Sequence, residues 1–164
     1  MSRDALIVGI NQYQALPELK AAAKDAEGIA NLLETHGDFR VRRLPEIIQD
    51  RRPQIDQQTR VLAQQLEASL VRLLLPKGEH IPEAAFFYFS GHGLQREIGI
   101  REGYLATSDT QPNISTSGLS LSWLRRLIKH SPIRQIVVIL DCCHSGEFLS
   151  LKDEAWQGRD GQSY

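Results

Sequence analysis

The chain has 164 residues, 41% of them hydrophobic, and its 19 Lys and Arg nearly balance its 20 Asp and Glu. This composition is typical of one globular domain, and the balanced charge argues against nucleic acid or an anionic membrane as a partner. No stretch approaches the roughly 20 apolar residues that span a bilayer, and the start MSRDALIVGI lacks a signal-peptide pattern, so a cytoplasmic location is expected.

The first half of the chain alternates between strand and helix patterns. Residues 5–10 (ALIVGI) form an apolar run, as in a strand buried on both faces. Apolar residues then recur with a 3.6-residue period from Leu19, which predicts a helix ending at Gly37. Residues 38–44 alternate like a half-exposed strand closed by Pro45, and a leucine-rich period over 62–74 predicts a second helix.

The second half repeats this alternation. An aromatic strand is predicted over residues 84–89, followed by a turn-rich excursion around the short segment YLAT. A third helix is predicted within LSLSWLRRLIKH, with Ser120 or Ser122 as its cap, and a fourth major strand over residues 136–140. The alternation predicts an α/β fold with a mostly parallel sheet. We expect one domain over residues 1–148 and a flexible polar linker over 149–164.

Reactive side chains follow two of the predicted strands. One strand runs into Ser90-Gly91-His92-Gly93 and another into Asp141-Cys142-Cys143-His144. Ligands of open α/β sheets bind beyond the carboxyl ends of the strands, so neighbouring strands would bring a histidine and a thiol together. That pair is typical of a cysteine nucleophile activated by a base. Because side chains alternate along a strand, Asp141 and Cys143 are expected on one face, with Cys142 packed inward on the other.

These residues resemble a known family. FYFSGHG and DCCHSGEF are similar to the histidine and cysteine motifs of caspase-like cysteine peptidases, in the metacaspase and orthocaspase branch. His92 precedes Cys143 by 51 residues, and a caspase histidine lies about 50 residues upstream of its cysteine. ALIVGINQY, KDAEGIANLL and GYLATSD extend the resemblance over most of residues 5–148.

The resemblance implies a three-layer caspase-like fold and the catalytic large-subunit portion of an endopeptidase. It implies that Cys143 is the nucleophile and His92 its acid–base partner, with the backbone N–H groups of Gly93 and Cys143 as the oxyanion hole. It further implies an S1 pocket formed by Asp25, Ser90 and Asp141 that accepts Arg or Lys. The sequence shows no third member of a catalytic triad.

The resemblance also implies partners and processing. A small-subunit segment is expected to complete the fold, and protein or peptide substrates with a basic P1 residue are expected to bind. Lys152 and Arg159 are candidate autoprocessing sites in the polar tail. No cofactor is expected to be required. Calcium is a candidate activator because calcium dependence is common among metacaspases, although the sequence contains no loop that resembles a dedicated calcium site.

The same residues allow other interpretations. The main alternative function is a catalytically silent caspase-like signalling or interaction module. His92 and Cys143 could each be structural taken alone, and Asp25 could be an ordinary exposed helix acid. A metal site is disfavoured because adjacent cysteines point apart, and a phosphatase because no arginine follows the cysteine at the required spacing.

Overall fold

The computed structural model describes residues 2–114 and 117–142. Within them, the predicted strands and helices occur in the predicted order, with further strands between them. The helices are α1 (Ala22–His36), α2 (Ala63–Leu74) and α3 (Leu121–Lys129). The strands are β1 (Arg3–Gly9), β2 (Arg40–Leu44), β3 (Glu46–Gln49), β4 (Arg52–Ile55), β5 (Ala84–Ser90), β6 (Gly93–Ile98), β7 (Ile100–Leu105), β8 (Leu119–Ser120) and β9 (Gln135–Asp141).

A four-stranded parallel sheet forms the centre of the domain. Its order is β2-β1-β5-β9, and all three neighbouring pairs run parallel. The register places Gly9 opposite Ser90 and Ser90 opposite Asp141. The carboxyl ends of three strands therefore form one row, and the predicted α/β class is confirmed.

Helix α1 covers one face of this sheet at close range. Its buried positions are alanines, and a Cβ atom on Gly9 of β1 would lie 2.7 Å from the Ala22 carbonyl oxygen and from the Ala26 side chain. Only a glycine in β1 permits this approach, since real Cβ contacts do not fall below 3.0 Å. The first turn of α1 thus lies over the carboxyl end of the sheet.

Helices α2 and α3 cover the opposite face. Leucines of both helices pack with Phe87 and Phe89 of β5 in a single apolar cluster that holds most of the large buried side chains. Ser120 caps α3, as one of the two predicted caps, by accepting a hydrogen bond from the Trp123 N–H at 3.2 Å. The domain therefore has three layers, with helices on both faces of the sheet.

Two antiparallel units were not predicted. Strands β3 and β4 form a hairpin where the sequence suggested only a polar connection, and its turn residues Asp50 and Arg51 both have positive φ. Strands β6, β7 and β8 form a separate sheet where a turn-rich excursion was expected. Hairpins are recognised in sequence mainly by Asn-Gly or Asp-Gly, and Asp-Arg carries no such signal.

Strand β9 lies at one edge of the central sheet. On the face that α1 covers elsewhere, Val137 is 47% and Ile139 43% exposed. Helix α1 packs mainly on β1, β2 and β5. The described part of the chain therefore leaves an apolar strip along β9. Among those same residues, no helix combines the length and apolarity required to cross a membrane.

Candidate active site

The two predicted reactive segments lie side by side. Strands β5 and β9 pair directly, and the Gly91 N–H reaches toward the Asp141 carbonyl oxygen at 3.4 Å. His92 follows β5 by two residues, and Cys142 follows β9 by one. The pairing of the strands carries the histidine and cysteine motifs to the same edge of the sheet, where α/β folds bind their ligands.

His92 is held at three points. Its backbone N–H donates to the Tyr13 hydroxyl at 2.9 Å, and its carbonyl oxygen accepts from the Ala106 N–H at 2.9 Å. Its ring atom Nε2 lies 2.8 Å from the Pro17 carbonyl oxygen. The rings of His92 and Tyr13 also meet edge to face, with centroids 4.7 Å apart. The imidazole is therefore fixed in both position and orientation.

The contact with Pro17 determines the tautomer of His92. A carbonyl oxygen can only accept a hydrogen bond, so Nε2 carries the hydrogen and Nδ1 retains its lone pair in the neutral ring. The same carbonyl stabilises the imidazolium when Nδ1 takes a proton. The Pro17 carbonyl therefore orients the imidazole of His92, a contact that side-chain motifs could not reveal.

Tyr13 supports the histidine from a buried position. Burial raises the pKa of Tyr13 far above its ordinary value, so its hydroxyl stays neutral and can accept from His92. A Cβ atom on Gly91 would lie 2.6 Å from this hydroxyl. The glycine before His92 is thus required for the close approach of Tyr13, a reason additional to the sharp turn expected from the sequence.

The loop that carries Tyr13 and Pro17 is itself anchored. Asn11, which is buried, accepts from the Ala23 N–H through Oδ1 at 3.0 Å and from the Leu19 N–H through its carbonyl at 2.9 Å. The first of these bonds satisfies a backbone donor at the start of α1, where Ala21 offers no side-chain cap. One asparagine therefore ties the loop over His92 to the helix that carries Asp25.

The three residues predicted to form S1 come together with a fourth. Tyr88 donates to Asp141 Oδ2 at 3.1 Å, is hydrogen-bonded to Ser90 and is near enough to Asp25 to feel its charge. Tyr88, Ser90 and Asp141 share the α1 face of the sheet, and Asp25 lies in the first turn of α1. We call Asp25, Tyr88, Ser90 and Asp141 the acidic cluster. Tyr88 was missed because it sits within an apolar run.

Tyr88 stays neutral and donates within this cluster. Burial, and then the charge of Asp141, raise the pKa of Tyr88 to about 12. The hydroxyl therefore holds one oxygen of Asp141, and no side-chain hydrogen bond within the described residues engages the other. None of the ion pairs within residues 2–114 and 117–142 includes Asp25 or Asp141. Two carboxylates thus share a small region with no cation from the described part of the chain.

Of the remaining site residues, Gly93 and Cys142 lie within the described part of the chain and the others do not. Gly93 begins β6 directly after His92. Cys142 is partly buried and packs against the apolar cluster under α2 and α3, on the opposite face from Asp141, as strand alternation predicts. The predicted nucleophile Cys143 and the candidate processing residues Lys152 and Arg159 lie outside the described residues. Their roles stay predictions.

The segment TSD, part of the family resemblance, has a structural role. The Asp109 carboxylate accepts from the Ala63 N–H at 3.0 Å, at the first residue of α2, and from the Thr107 hydroxyl at 2.6 Å. Ser108 exchanges hydrogen bonds with Val61, just before the helix. This segment therefore holds the start of α2 and contributes no reactive group. In the described portion of the chain, no three His, Cys, Asp or Glu side chains converge as metal ligands.

Comparison with known proteins agrees with this geometry. The model of the caspase domain family matches residues 2–163. Metacaspase-1 of Eremothecium gossypii is 24% identical over 160 residues, covering 92% of this chain and 33% of the relative. Metacaspase-1 of Kluyveromyces lactis is 25% identical over 156 residues, covering 91% and 34%. The chain thus spans about a third of the length of these metacaspases.

A solved structure shows the same fold. The crystal structure of a protein from Geobacter sulfurreducens superposes with a TM-score of 0.63 at 18% identity, covering 91% of this chain and 53% of the other. At this identity the likeness concerns the fold alone. The family match covers nearly the whole chain, including both reactive segments and the strands that present them. This chain belongs to the caspase domain family of cysteine peptidases.

Proposed function

We propose that this chain is the catalytic large-subunit portion of a metacaspase- or orthocaspase-type endopeptidase that cleaves after Arg or Lys. The single observation that carries the proposal is the placement of an oriented histidine and an unpaired carboxylate cluster at one edge of the sheet. The family match supports a cysteine peptidase, and the acidic cluster supports a basic P1 residue.

His92 is suited to serve as the acid–base partner of Cys143. With Nε2 directed at the Pro17 carbonyl, Nδ1 takes the thiol proton, and the thiolate attacks the carbonyl carbon of the scissile bond. The tetrahedral intermediate collapses as His92 returns the proton to the leaving amine, giving a thioester and a new amino terminus. Water then attacks the thioester and gives a proton to Nδ1. The second intermediate collapses to the carboxylate product, and His92 returns the proton to the Cys143 sulfur.

The oxyanion of each tetrahedral intermediate needs donors in fixed positions. The N–H groups of Gly93 and Cys143 are our candidates, as the family resemblance implies. The hydrogen bonds of the His92 backbone to Tyr13 and Ala106 support the Gly93 assignment because they fix the peptide unit next to it. One such donor is typically worth about 3–4 kcal/mol in the transition state.

The acidic cluster is suited to bind a guanidinium or ammonium group. Asp25 and Asp141 approach from α1 and β9, and Ser90 contributes a hydroxyl from β5. A guanidinium placed among them would receive charge-assisted hydrogen bonds from both carboxylates. An acidic P1 residue would be repelled by the same groups, which separates this specificity from cleavage after Asp.

A small-subunit segment is our proposed partner for the exposed side of β9. This strand is the edge of the sheet next to the reactive segment, and Val137 and Ile139 are exposed there. An added strand would use the outward backbone groups of β9, and a helix beyond it would cover the apolar strip. The short span of this chain relative to the metacaspases supports the same proposal.

The experiment compares the hydrolysis of matched fluorogenic peptides ending in Arg, Lys or Asp by the full polypeptide. Cys143→Ala and Cys142→Ala are assayed beside the unaltered protein, with and without calcium. We expect cleavage after Arg or Lys that is abolished by Cys143→Ala and retained by Cys142→Ala. Cys142 is the matched control because it packs against the apolar cluster on the other face of β9.

Three results would contradict the proposal or a part of it. Preference for Asp would refute the role of the acidic cluster while leaving the peptidase intact. No hydrolysis by a folded full polypeptide in any calcium condition, together with no labelling of Cys143 by a thiol-directed Arg peptide, would favour the catalytically silent module. Loss of activity in Cys142→Ala alone would reassign the nucleophile.

A further inference from the structure

A cavity lies at the sheet edge opposite the acidic cluster. It has a volume of about 780 Å³ and is bounded by the edge strand β2, the last turns of α2 and the segment after α2. A smaller cavity of about 310 Å³ shares Arg42, Ala68 and Arg72 with it. We call the combined space the β2–α2 groove, and each of its two cavities is within the size range of small-molecule sites.

The side chains of β2 and α2 explain why this space stays open. On β2, Arg40, Arg42 and Leu44 share the face toward α2, but only Leu44 joins the apolar cluster there. On α2, the groove is lined by Ala68, Val71, Arg72 and Leu75, which recur at helical spacing on one side. Two arginines thus stand where the sheet would otherwise present apolar residues to the helix.

The groove carries an excess of positive charge. Four cationic side chains line the larger cavity against one carboxylate, Asp4. That carboxylate is already engaged by Arg40 at 2.7 Å. The smaller cavity adds the carboxylate of Glu46. The cations approach from three separate elements: Arg40 and Arg42 from β2, Arg72 from α2 and Lys77 from the following segment.

The neighbouring cations act electrostatically on Arg42. Partial burial, and then the charge of Arg72, lower the pKa of the Arg42 guanidinium below its ordinary value. No ion pair in the described ranges engages Arg42 or Arg72. Converging guanidinium groups repel each other unless an anion lies between them, and guanidinium groups match phosphate oxygens in a bidentate geometry.

We infer that the β2–α2 groove is a binding site for a small soluble molecule that bears two or more phosphate groups. Arg42 and Arg72 face each other across the groove and would hold one phosphate. Arg40 lies roughly 7 Å from Arg42 along the strand, which suits a second phosphate. Val71, Leu75 and Pro76 form an apolar wall that would contact an organic moiety. The concave shape favours such a ligand over an extended acidic peptide.

The site is separate from the proposed catalytic edge. Asp4 and Arg40 stand at the beginning of β1 and β2, whereas His92 and Asp141 follow the carboxyl ends of β5 and β9. A phosphate-bearing ligand in the groove would therefore not occupy the S1 region. Binding can be measured on the Cys143→Ala polypeptide, so failure of this inference and failure of the proposed function are distinguishable.

The test measures binding of sodium pyrophosphate and of ATP without magnesium by isothermal titration calorimetry at low salt. We expect both probes to bind and ATP to bind more tightly, because its nucleoside contacts the apolar wall. Arg42→Gln and Arg72→Gln each remove one charge from a different element, and each should weaken binding about tenfold or more. Arg60→Gln is the matched control, since this exposed arginine lies outside the groove.

The melting temperature of each unliganded variant shows whether it is folded. We expect Arg42→Gln to melt no lower than the unaltered chain, because it relieves repulsion with Arg72. The inference is overturned if millimolar pyrophosphate and ATP do not bind. It is equally overturned if Arg60→Gln weakens binding as much as the groove variants, or if a hexaglutamate peptide binds while pyrophosphate does not.

Discussion

Two charged regions lie along helix α1, and they differ in whether their charges are paired. In the first, the Arg43 side chain is 1% exposed and is held by Glu27, Asn31 and Glu34, one turn apart on the helix. In the second, the acidic cluster gathers Asp25 and Asp141 with no cation from the described residues. We refer to the first as the Arg43 network.

The contrast separates a structural role from a ligand-binding one. The Arg43 network is complete: the guanidinium uses all its nitrogens, and Glu27 also accepts from the Ile55 N–H at 2.8 Å, tying α1 to β2 and β4. Nothing further is needed to satisfy it. Within the described residues, Tyr88 donates to one oxygen of Asp141 and no ion pair engages Asp25 or Asp141, and we propose that a basic ligand completes the acidic cluster. Unpaired like charges at a strand end indicate a binding site.

Breaking the Arg43 network should have the largest effect. Arg43→Met leaves the Glu27 carboxylate partly buried without its partner, and we expect the free energy of unfolding to fall by about 3 kcal/mol. Denaturant unfolding measures this loss. Arg40→Met is the matched control on the same strand, because Arg40 is 70% exposed in its pair with Asp4 and should contribute less than about 1 kcal/mol. Equal losses would contradict the buried role of Arg43.

Neutralising the acidic cluster should affect catalysis and leave stability intact. Asp141→Asn keeps an oxygen that can accept from Tyr88 and removes the charge. We expect kcat/KM for Arg peptides to fall roughly ten- to a hundredfold, without a lower melting temperature. Asp50→Asn, in the turn between β3 and β4, is the control acid. A fall in melting temperature as large as that of Arg43→Met would show that Asp141 stabilises the fold.

Removing the Tyr88 hydroxyl should have a smaller effect of the same kind. Tyr88→Phe deletes the donor to Asp141 Oδ2 and releases that carboxylate from its fixed orientation. We expect KM for Arg peptides to rise roughly three- to tenfold with little change in kcat. Tyr104→Phe is the matched control, because it loses a comparable bond to Glu102 away from the cluster. An equal rise in both variants would exclude a positioning role.

The pH-dependent contribution of Glu34 to the free energy of unfolding should be the smallest of these effects. Hydrogen bonding to Arg43 lowers the pKa of the Glu34 carboxyl, so its stabilising contribution is present above its unfolded pKa of about 4.3 and is lost as the pH falls through the lowered value. Because this side chain is 39% exposed and screened by solvent, the contribution should be under about 1 kcal/mol.

Unfolding of the unaltered chain and of Glu34→Gln at several pH values measures that contribution. The difference between the two should be constant from pH 6 upward and shrink below pH 4. A difference that grows on acidification would contradict the ion pair. The stability that the Arg43 network provides thus depends on pH, because the network requires ionised carboxylates.

Sequence patterns predicted the parts of the molecule governed by burial. Strands β1, β5 and β9 were recognised as apolar runs, which are typical of parallel strands, and β2 was recognised by the alternation of a half-exposed strand. Strand β6, with the polar sequence GLQREI, offered no such run, and its turn to β7 relies on Gly99 with positive φ. The hairpin of β3 and β4 turns at Asp50 and Arg51, residues that rarely indicate such a turn.

The candidate site was predictable where side chains carry the chemistry. His92, Asp141 and Ser90 follow apolar strands and belong to specific motifs, so both their identity and their proximity could be expected. The Pro17 carbonyl could not be expected, because any residue has a backbone oxygen and only the path of the loop brings this one to His92. The same applies to Tyr13, which lies 79 positions before the histidine that it supports.

The measurement that tests the central claim most directly compares two peptides that differ only in charge at P1. One ends in arginine and the other in citrulline, which has nearly the same shape and no charge. We predict that kcat/KM of the full polypeptide is roughly a hundredfold higher for the arginine peptide than for the citrulline peptide. We also predict that Asp141→Asn makes this difference in kcat/KM smaller. Equal cleavage of the two peptides would show that the acidic cluster does not select the substrate.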